Sequence, residues 1–398
     1  MANFKMDVSA NKHFNGELLA AFSVDEGEKA RSFHQGLPGY EPTPLHSLDG
    51  LAKLVGVRSI LVKDESYRFG LNAFKMLGGV YAIARLLCDE FNLDITECDF
   101  TALKEQITEK RTFATATDGN HGRGVAWAAN QLGQNAVVYM PKGAAEERVN
   151  NIRQLGAECI VTDMNYDDTV RYVVELANKK GWKVVQDTAW EGYTDIPTWI
   201  MQGYSTLASE AIGQIYEQSF HTPTHVILQA GVGALAGGVL GYLADSLGPN
   251  KLKAIIVEPD QADCIYRSGS SEAGEIINVG GDMATIMVGL ACGEPNPLGW
   301  QVLRNCASHF ISCEDSVAAL GMRVLGNPLA GDPRVVSGES GAIGLGLIAA
   351  VHYSDTKQAL MKELGLNEDS VVLVVNSEGD TDPVNYRDVV WLGKYAAV

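Results

Sequence analysis

Short apolar runs alternate along this chain with longer stretches in which apolar residues recur at the spacing of a helix face. The runs at 59–64, 112–117, 136–140, 158–162, 183–186, 226–229, 254–257 and 371–375 read as strands. The stretches 122–132, 144–155, 167–179, one running from Pro197 to about 218, and 340–352 read as helices. Strand and helix in alternation imply βαβ units and parallel sheets, so the fold class is α/β. The units form two runs with no low-complexity linker between them, which predicts two domains in close contact around a cleft. Residues 1–40 are polar with few apolar repeats and are expected to wrap the surface or a subunit partner.

One stretch breaks the amphipathic pattern. From Ala73 to Leu87 the only charged residues are Lys75 and Arg85, and a helix without a polar stripe belongs inside a larger fold. Lys75 stands near its start. Burial lowers a lysine's pKa and frees it to act as a Schiff-base nucleophile; the alternative is a surface lysine that snorkels its head to water. Gly70, Gly78 and Gly79 permit close backbone approach and weigh against a surface position.

Composition narrows the partners. With 398 residues, 46% hydrophobic and 20% charged, the chain can bury a large core. A net charge of −18 without clustered Lys and Arg excludes nucleic acid and anionic membrane as general partners. A small-molecule ligand fits better. The N-terminus carries no basic region ahead of an apolar core and no apolar run is long enough to span a bilayer, so a cytoplasmic location is expected. Seven cysteines (Cys88, Cys98, Cys159, Cys264, Cys292, Cys306 and Cys313) show no C-x-x-C pair and no His-rich neighbour, so no metal site is expected. Cys264 and Cys292 lie in loop-like stretches and are candidates to meet in space.

In parallel sheets ligands sit beyond the carboxyl ends of the strands, and four such ends carry chemistry. Thr117-Asp118-Gly119-Asn120-His121-Gly122 puts a carboxylate, an amide and an imidazole in one turn, more than helix capping needs. The segment 230–238, with Gly231, Val232, Gly233, Ala234, Gly237 and Gly238, is a glycine-rich turn whose amides suit a phosphate. A dinucleotide loop would look similar, with Glu258 near the place of its acidic partner, although the G-x-G-x-x-G spacing is absent. The ends around Gln186-Asp187 and Asn376-Ser377-Glu378-Gly379-Asp380-Thr381 present polar side chains as either solvated turns or site residues.

Taken together, these pieces resemble the fold-type II pyridoxal phosphate enzymes, the group of the tryptophan synthase β-subunit, threonine dehydratase and cysteine synthase. The resemblance runs from about Pro44 to Gly379 and includes Leu155-Gly156-Ala157-Glu158, Val257-Glu258-Pro259 and Glu339-Ser340-Gly341-Ala342. Within the group the chain is similar to the diaminopropionate ammonia-lyases, through Arg68-Phe69-Gly70-Leu71-Asn72-Ala73-Phe74-Lys75, the turn at 117–122 and Glu378-Gly379-Asp380-Thr381-Asp382. It implies a large cofactor-binding domain of 1–89 and 190–398, a smaller α/β domain of 90–189 inserted in it, and a homodimer.

The same resemblance implies roles. Lys75 would hold pyridoxal 5'-phosphate, Asn120 would bond the ring's phenolic oxygen, and 231–238 would hold the phosphate. Ser377, or else Thr381, would face the pyridine nitrogen. Asp118 departs from the hydroxyl residue many relatives carry and implies a second base on the ring face opposite Lys75, so that both D- and L-2,3-diaminopropionate react. Asp187 would help bind the substrate amine. The rivals are a serine or threonine dehydratase of the same fold, a nicotinamide-binding Rossmann protein built on the 231 loop, and a catalytically silent binding protein. The parts of Arg68, His121 and Glu258 stay open at this point.

Overall fold

The computed structural model describes residues 4–97, 100–107, 109–117 and 119–397. Its strands in chain order are β1 (Met6–Ala10), β2 (Leu45–Ser47), β3 (Ser59–Asp64), β4 (Thr112–Ala116), β5 (Asn135–Met140) and β6 (Glu158–Val161). They continue with β7 (Lys183–Val184), β8 (His225–Gln229), β9 (Lys253–Pro259), β10 (His309–Cys313) and β11 (Val371–Asn376). Two sheets result. A seven-stranded sheet has the order β1-β10-β9-β8-β11-β3-β2, and a four-stranded sheet the order β6-β5-β4-β7. The smaller sheet is parallel throughout; in the larger only the edge strands β1 and β2 run antiparallel to their neighbours.

The chain forms two compact units, one of 1–24, 42–74 and 207–398 and the other of 25–41 and 75–206. In the first, inner strands such as β8 and β11 are buried along their whole length, as parallel strands covered on both faces must be. Ile60, Ile227, Ile255 and Val374 pack there with Ile343 and Leu347 of the helix Glu339–Tyr353. In the second, Ala114, Val137 and Tyr139 pack against Val170 and Val173 of the helix Tyr166–Lys180.

Residues 1–40 depart from the expected surface wrap. β1 pairs with β10 from Met6↔Cys313 to Ala10↔His309, and the helix Val24–Gln35 buries Ala30, Phe33 and His34. Both elements are sparing in apolar residues because each buries only part of itself. His34 Nε2 donates to the Leu77 carbonyl at 2.9 Å, and its Nδ1 lies 2.7 Å from Thr206 Oγ1.

The lysine helix also starts later than expected. It spans Met76–Phe91, and Lys75 is the residue just before it. Backbone contact rather than polar capping fixes it. A Cβ on Gly78 would stand 2.5 Å from the Tyr204 ring and 2.8 Å from the Ile200 carbonyl oxygen, and one on Gly203 would stand 2.5 Å from the Leu77 oxygen. On another side a Cβ on Gly124 would meet Met76 Cα at 2.8 Å. The helix is thus wedged between Asp195–Glu217 and Asn120–Gln131 at distances only glycine permits. The expected domain boundary at residue 90 falls inside this helix.

Candidate active site

Of the two alternatives for Lys75, the structure favours burial with some reach to solvent: its side chain keeps 16% of its exposure, while that of Asp187 keeps 6%. The ammonium donates to Asp187 Oδ2 at 2.9 Å. Burial alone would push the Asp187 carboxyl up, but Lys75 and then His121 outweigh it and hold the group well below the usual carboxylate range. The result is a persistently ionised acceptor beside a reachable amine.

The turn after β4 supplies the next groups. Asn120 opens the helix Asn120–Gln131 after Gly119, whose φ of +151° favours glycine, and its amide is half-buried. His121 Nε2 lies 2.8 Å from the Val185 carbonyl, which can only accept, so that nitrogen carries a proton. Its Nδ1 faces Asp187 Oδ2 at 4.0 Å. Thr117 Oγ1 accepts from the amides of Gly119 and Gly122 and shapes the turn. Asp118 lies outside the described residues.

The other unit carries the glycine-rich turn. The helix Ala234–Leu247 follows β8 through Gly233 at φ +89°. Its first turn closes with the Gly237 amide on the Gly233 oxygen at 2.8 Å, which leaves the amides of Ala234, Leu235 and Ala236 ahead of the helical ladder to face a ligand. A Cβ on Gly231 would stand 3.2 Å from Leu290 Cα, so a side chain here would crowd the backbone of that segment. An anion such as a phosphate matches such a helix start. Gly238 lies further along the same helix.

Glu258 is not available to a ribose. One of its oxygens accepts from the Ile265 amide at 3.0 Å and the other from Tyr266 at 2.6 Å, and burial pushes its carboxyl well up despite these bonds. Cys264 opens the helix Cys264–Ser270 instead of lying in a loop; no disulfide joins it to Cys292, and its Sγ is 3.5 Å from the Cys292 carbonyl.

After β11, Ser377 is buried and Thr381 half-buried, with Thr381 Oγ1 3.4 Å from Glu378 Oε2. The segment 377–379 pairs with the residues leading to the lysine: the Phe74 amide donates to the Ser377 oxygen at 3.2 Å, and that of Gly379 to Asn72 at 3.0 Å. Phe69 and Asn72, at φ +50° and +59°, strain this approach.

The structure supplies two connections that sequence reading left open. Arg68 ion-pairs with Glu65 and Glu210, both at 2.8 Å, and Lys63 with Glu210 at 2.6 Å, all four side chains sealed from solvent. Around Asp187, Gln186 and Tyr166 add further bonds. Among the described residues no cluster of His, Cys, Asp or Glu could hold a metal, and no helix is long and apolar enough to cross a membrane.

Comparison with known proteins identifies the family. Residues 37–378 match the family model of pyridoxal-phosphate dependent enzymes. The diaminopropionate ammonia-lyase of Escherichia coli K12 is 68% identical, covering 99% of this chain and 98% of its own. Its counterpart in Salmonella typhimurium LT2 is 50% identical over 100% of this chain and 99% of its own. The crystal structure of the Escherichia coli lyase in complex with D-serine superposes with a TM-score of 0.96 at 66% identity, covering 100% of both chains. The match over residues 37–378 and the full-length identity to these relatives place the chain among the pyridoxal-phosphate dependent enzymes.

Proposed function

We propose that this chain is an ammonia-lyase that converts 2,3-diaminopropionate to pyruvate and ammonia and accepts both the D- and the L-isomer. The full-length identity to the lyases supports the reaction, and the observation that carries the substrate is the 2.9 Å pair of Lys75 with Asp187. A carboxylate that already holds an ammonium in reach of solvent suits an amino acid with a second one.

Bound pyridoxal phosphate supplies an electrophilic carbon for the substrate amine and an electron sink for the Cα–H bond. Lys75 anchors it, Asn120 donates to its phenolic oxygen, and the amides along Gly231, Val232, Gly233 and Ala234, with Gly237 and Gly238 in the helix behind them, cradle its phosphate. Ser377, or else Thr381, serves the ring nitrogen, and a hydroxyl there leaves that nitrogen neutral more readily than a carboxylate would. A weaker sink favours prompt departure of the β-amine. Lys75 takes the Cα proton of the L-isomer and Asp118 that of the D-isomer, while Asp187 receives the substrate's ammonium. A homodimeric state and a cytoplasmic location belong to the same reading, and light scattering of the holoenzyme checks the first.

The test is pyruvate release from each enantiomer of diaminopropionate and of serine, with ammonia counted in parallel. A diamine yields two ammonia molecules per pyruvate and a hydroxy-amino acid one. In Asp118→Asn, turnover of the D-isomer should vanish while that of the L-isomer persists. Equal loss of both would overturn the two-base assignment.

A further inference from the structure

The orientation of one amide determines the direction of a hydrogen-bond chain that ends on Asp187. Gln186 Oε1 accepts from the Ala116 backbone amide and from Thr115 Oγ1, both at 3.0 Å. An amide N–H can only donate, so this side of the Gln186 group is its oxygen. Its Nε2 therefore points the other way, where Tyr166 Oη lies at 2.9 Å and Asp187 Oδ1 at 3.4 Å. With its oxygen accepting from Gln186, Tyr166 directs its own proton to Asp187 Oδ1 at 3.4 Å.

The two carboxylate oxygens are thus divided. Oδ1 receives Tyr166 and Gln186, and Oδ2 receives the Lys75 ammonium. Gln186 itself is held from behind: its backbone N–H donates to Tyr193 Oη at 2.8 Å, that hydroxyl donates to the Val184 oxygen at 3.1 Å, and the Tyr193 ring stacks on Trp190 at 4.1 Å. Tyr166 is the first residue of the helix Tyr166–Lys180, whose start Asn165 caps through the Asp168 amide at 2.8 Å.

We propose that Tyr166 and Gln186 are positioning residues that present Asp187 Oδ2 to an ammonium, that of Lys75 in the free protein and that of the diamine during turnover. Neither touches the reacting atoms. Their contribution is to remove the carboxylate's rotational freedom and to satisfy the oxygen turned away from the ammonium. The proposal rests on Lys75 being the cofactor lysine.

Tyr166→Phe removes one donor and little volume. In the apoenzyme, capture of pyridoxal phosphate by Lys75 is followed by absorbance against pH; a looser Asp187 holds the ammonium less firmly, so the midpoint of capture should fall by about half a unit to one unit. In the holoenzyme the KM for diaminopropionate should rise roughly tenfold with kcat changed far less. The midpoint shift should disappear when Tyr166→Phe is made in an Asp187→Asn background, since the hydroxyl acts through that carboxylate. An unchanged midpoint and KM, even with a lowered melting temperature, would reduce Tyr166 to a packing residue and overturn the proposal. The same conclusion follows if the shift persists undiminished in Asp187→Asn. Absence of any borohydride-reducible adduct in the wild type would instead remove the Lys75 assignment, and this proposal with it.

Discussion

Among the described residues, two lysine–carboxylate pairs have both side chains withdrawn from the surface, and on the proposed assignment they serve opposite ends. Lys63 meets Glu210 at 2.6 Å with neither side chain exposed, whereas Lys75 meets Asp187 at 2.9 Å with 16% and 6% exposure. Lys63 also donates to the Thr43 oxygen at 2.8 Å and to Gln214 Oε1 at 3.0 Å, so its three protons have three acceptors. Arg68 adds a second cation and Glu65 a second anion, which leaves the sealed group neutral. Burial lowers the Lys63 pKa, against the pull of Glu210 and Glu65. By the rule that a buried amine is chemically poised, Lys63 is the better candidate, yet it is saturated and unreachable. On the proposed assignment, reach is what separates the reactive pair from the structural one.

The sharpest way to break this comparison is to remove each lysine in turn. Lys75→Ala should abolish the visible absorbance of the bound cofactor and lower pyruvate formation by several orders of magnitude, on the order of a thousandfold or more, with the fold intact by circular dichroism. Lys63→Met should do the reverse, lowering stability by about 3–5 kcal/mol in denaturant titrations, because it strands part of Glu210's charge. Its remaining folded fraction should keep the cofactor. If Lys63→Met lost the cofactor at full stability, the two pairs would not be separable in this way.

A smaller effect sharpens the contrast through pH. Burial alone would raise the Glu210 carboxyl, but Arg68 and Lys63 outweigh it and hold it below the usual glutamate range. A depressed acid stabilises the fold in full above its unfolded pKa and loses that contribution as pH falls through the folded value. Stability by denaturant titration should therefore drop by about 1–3 kcal/mol on acidification below the ordinary glutamate range. In Glu210→Gln that acid limb should flatten.

The sequence was most legible where burial is complete. The run Ser-Ile-Leu-Val-Lys-Asp forms β3 at the residues expected, and β8, β9 and β11 lie within a residue or two of their apolar runs. β10, His-Phe-Ile-Ser-Cys, is equally buried but mixes polar and small residues, so no apolar run announced it. Edge strands β1 and β2 are short and half-exposed, which dilutes their pattern further. Of the proposed site, Lys75, Asn120, Asp187 and the glycine-rich turn could be picked out because they follow strands or sit in glycine-rich motifs. Tyr166 follows β6 in the same way, so the rule of inspecting each strand end would have found it had the end after 158–162 been included. The sealed cluster was not legible at all, since it joins Thr43, Lys63, Glu65 and Arg68 to Glu210 across more than a hundred residues.

The glycine crossings of the lysine helix bear on how this protein can be redesigned. Gly78, Gly124 and Gly203 hold the helix start against two neighbours with no room for a methyl group. The helix therefore behaves as a fixed jig: its register cannot slide by a residue, and a library that varies 76–79, 124 or 203 would mostly sample misfolded chains. Altered substrate choice is better sought in the turns after β4, β6 and β7, which lie outside the lysine helix and can be varied without changing its glycine contacts.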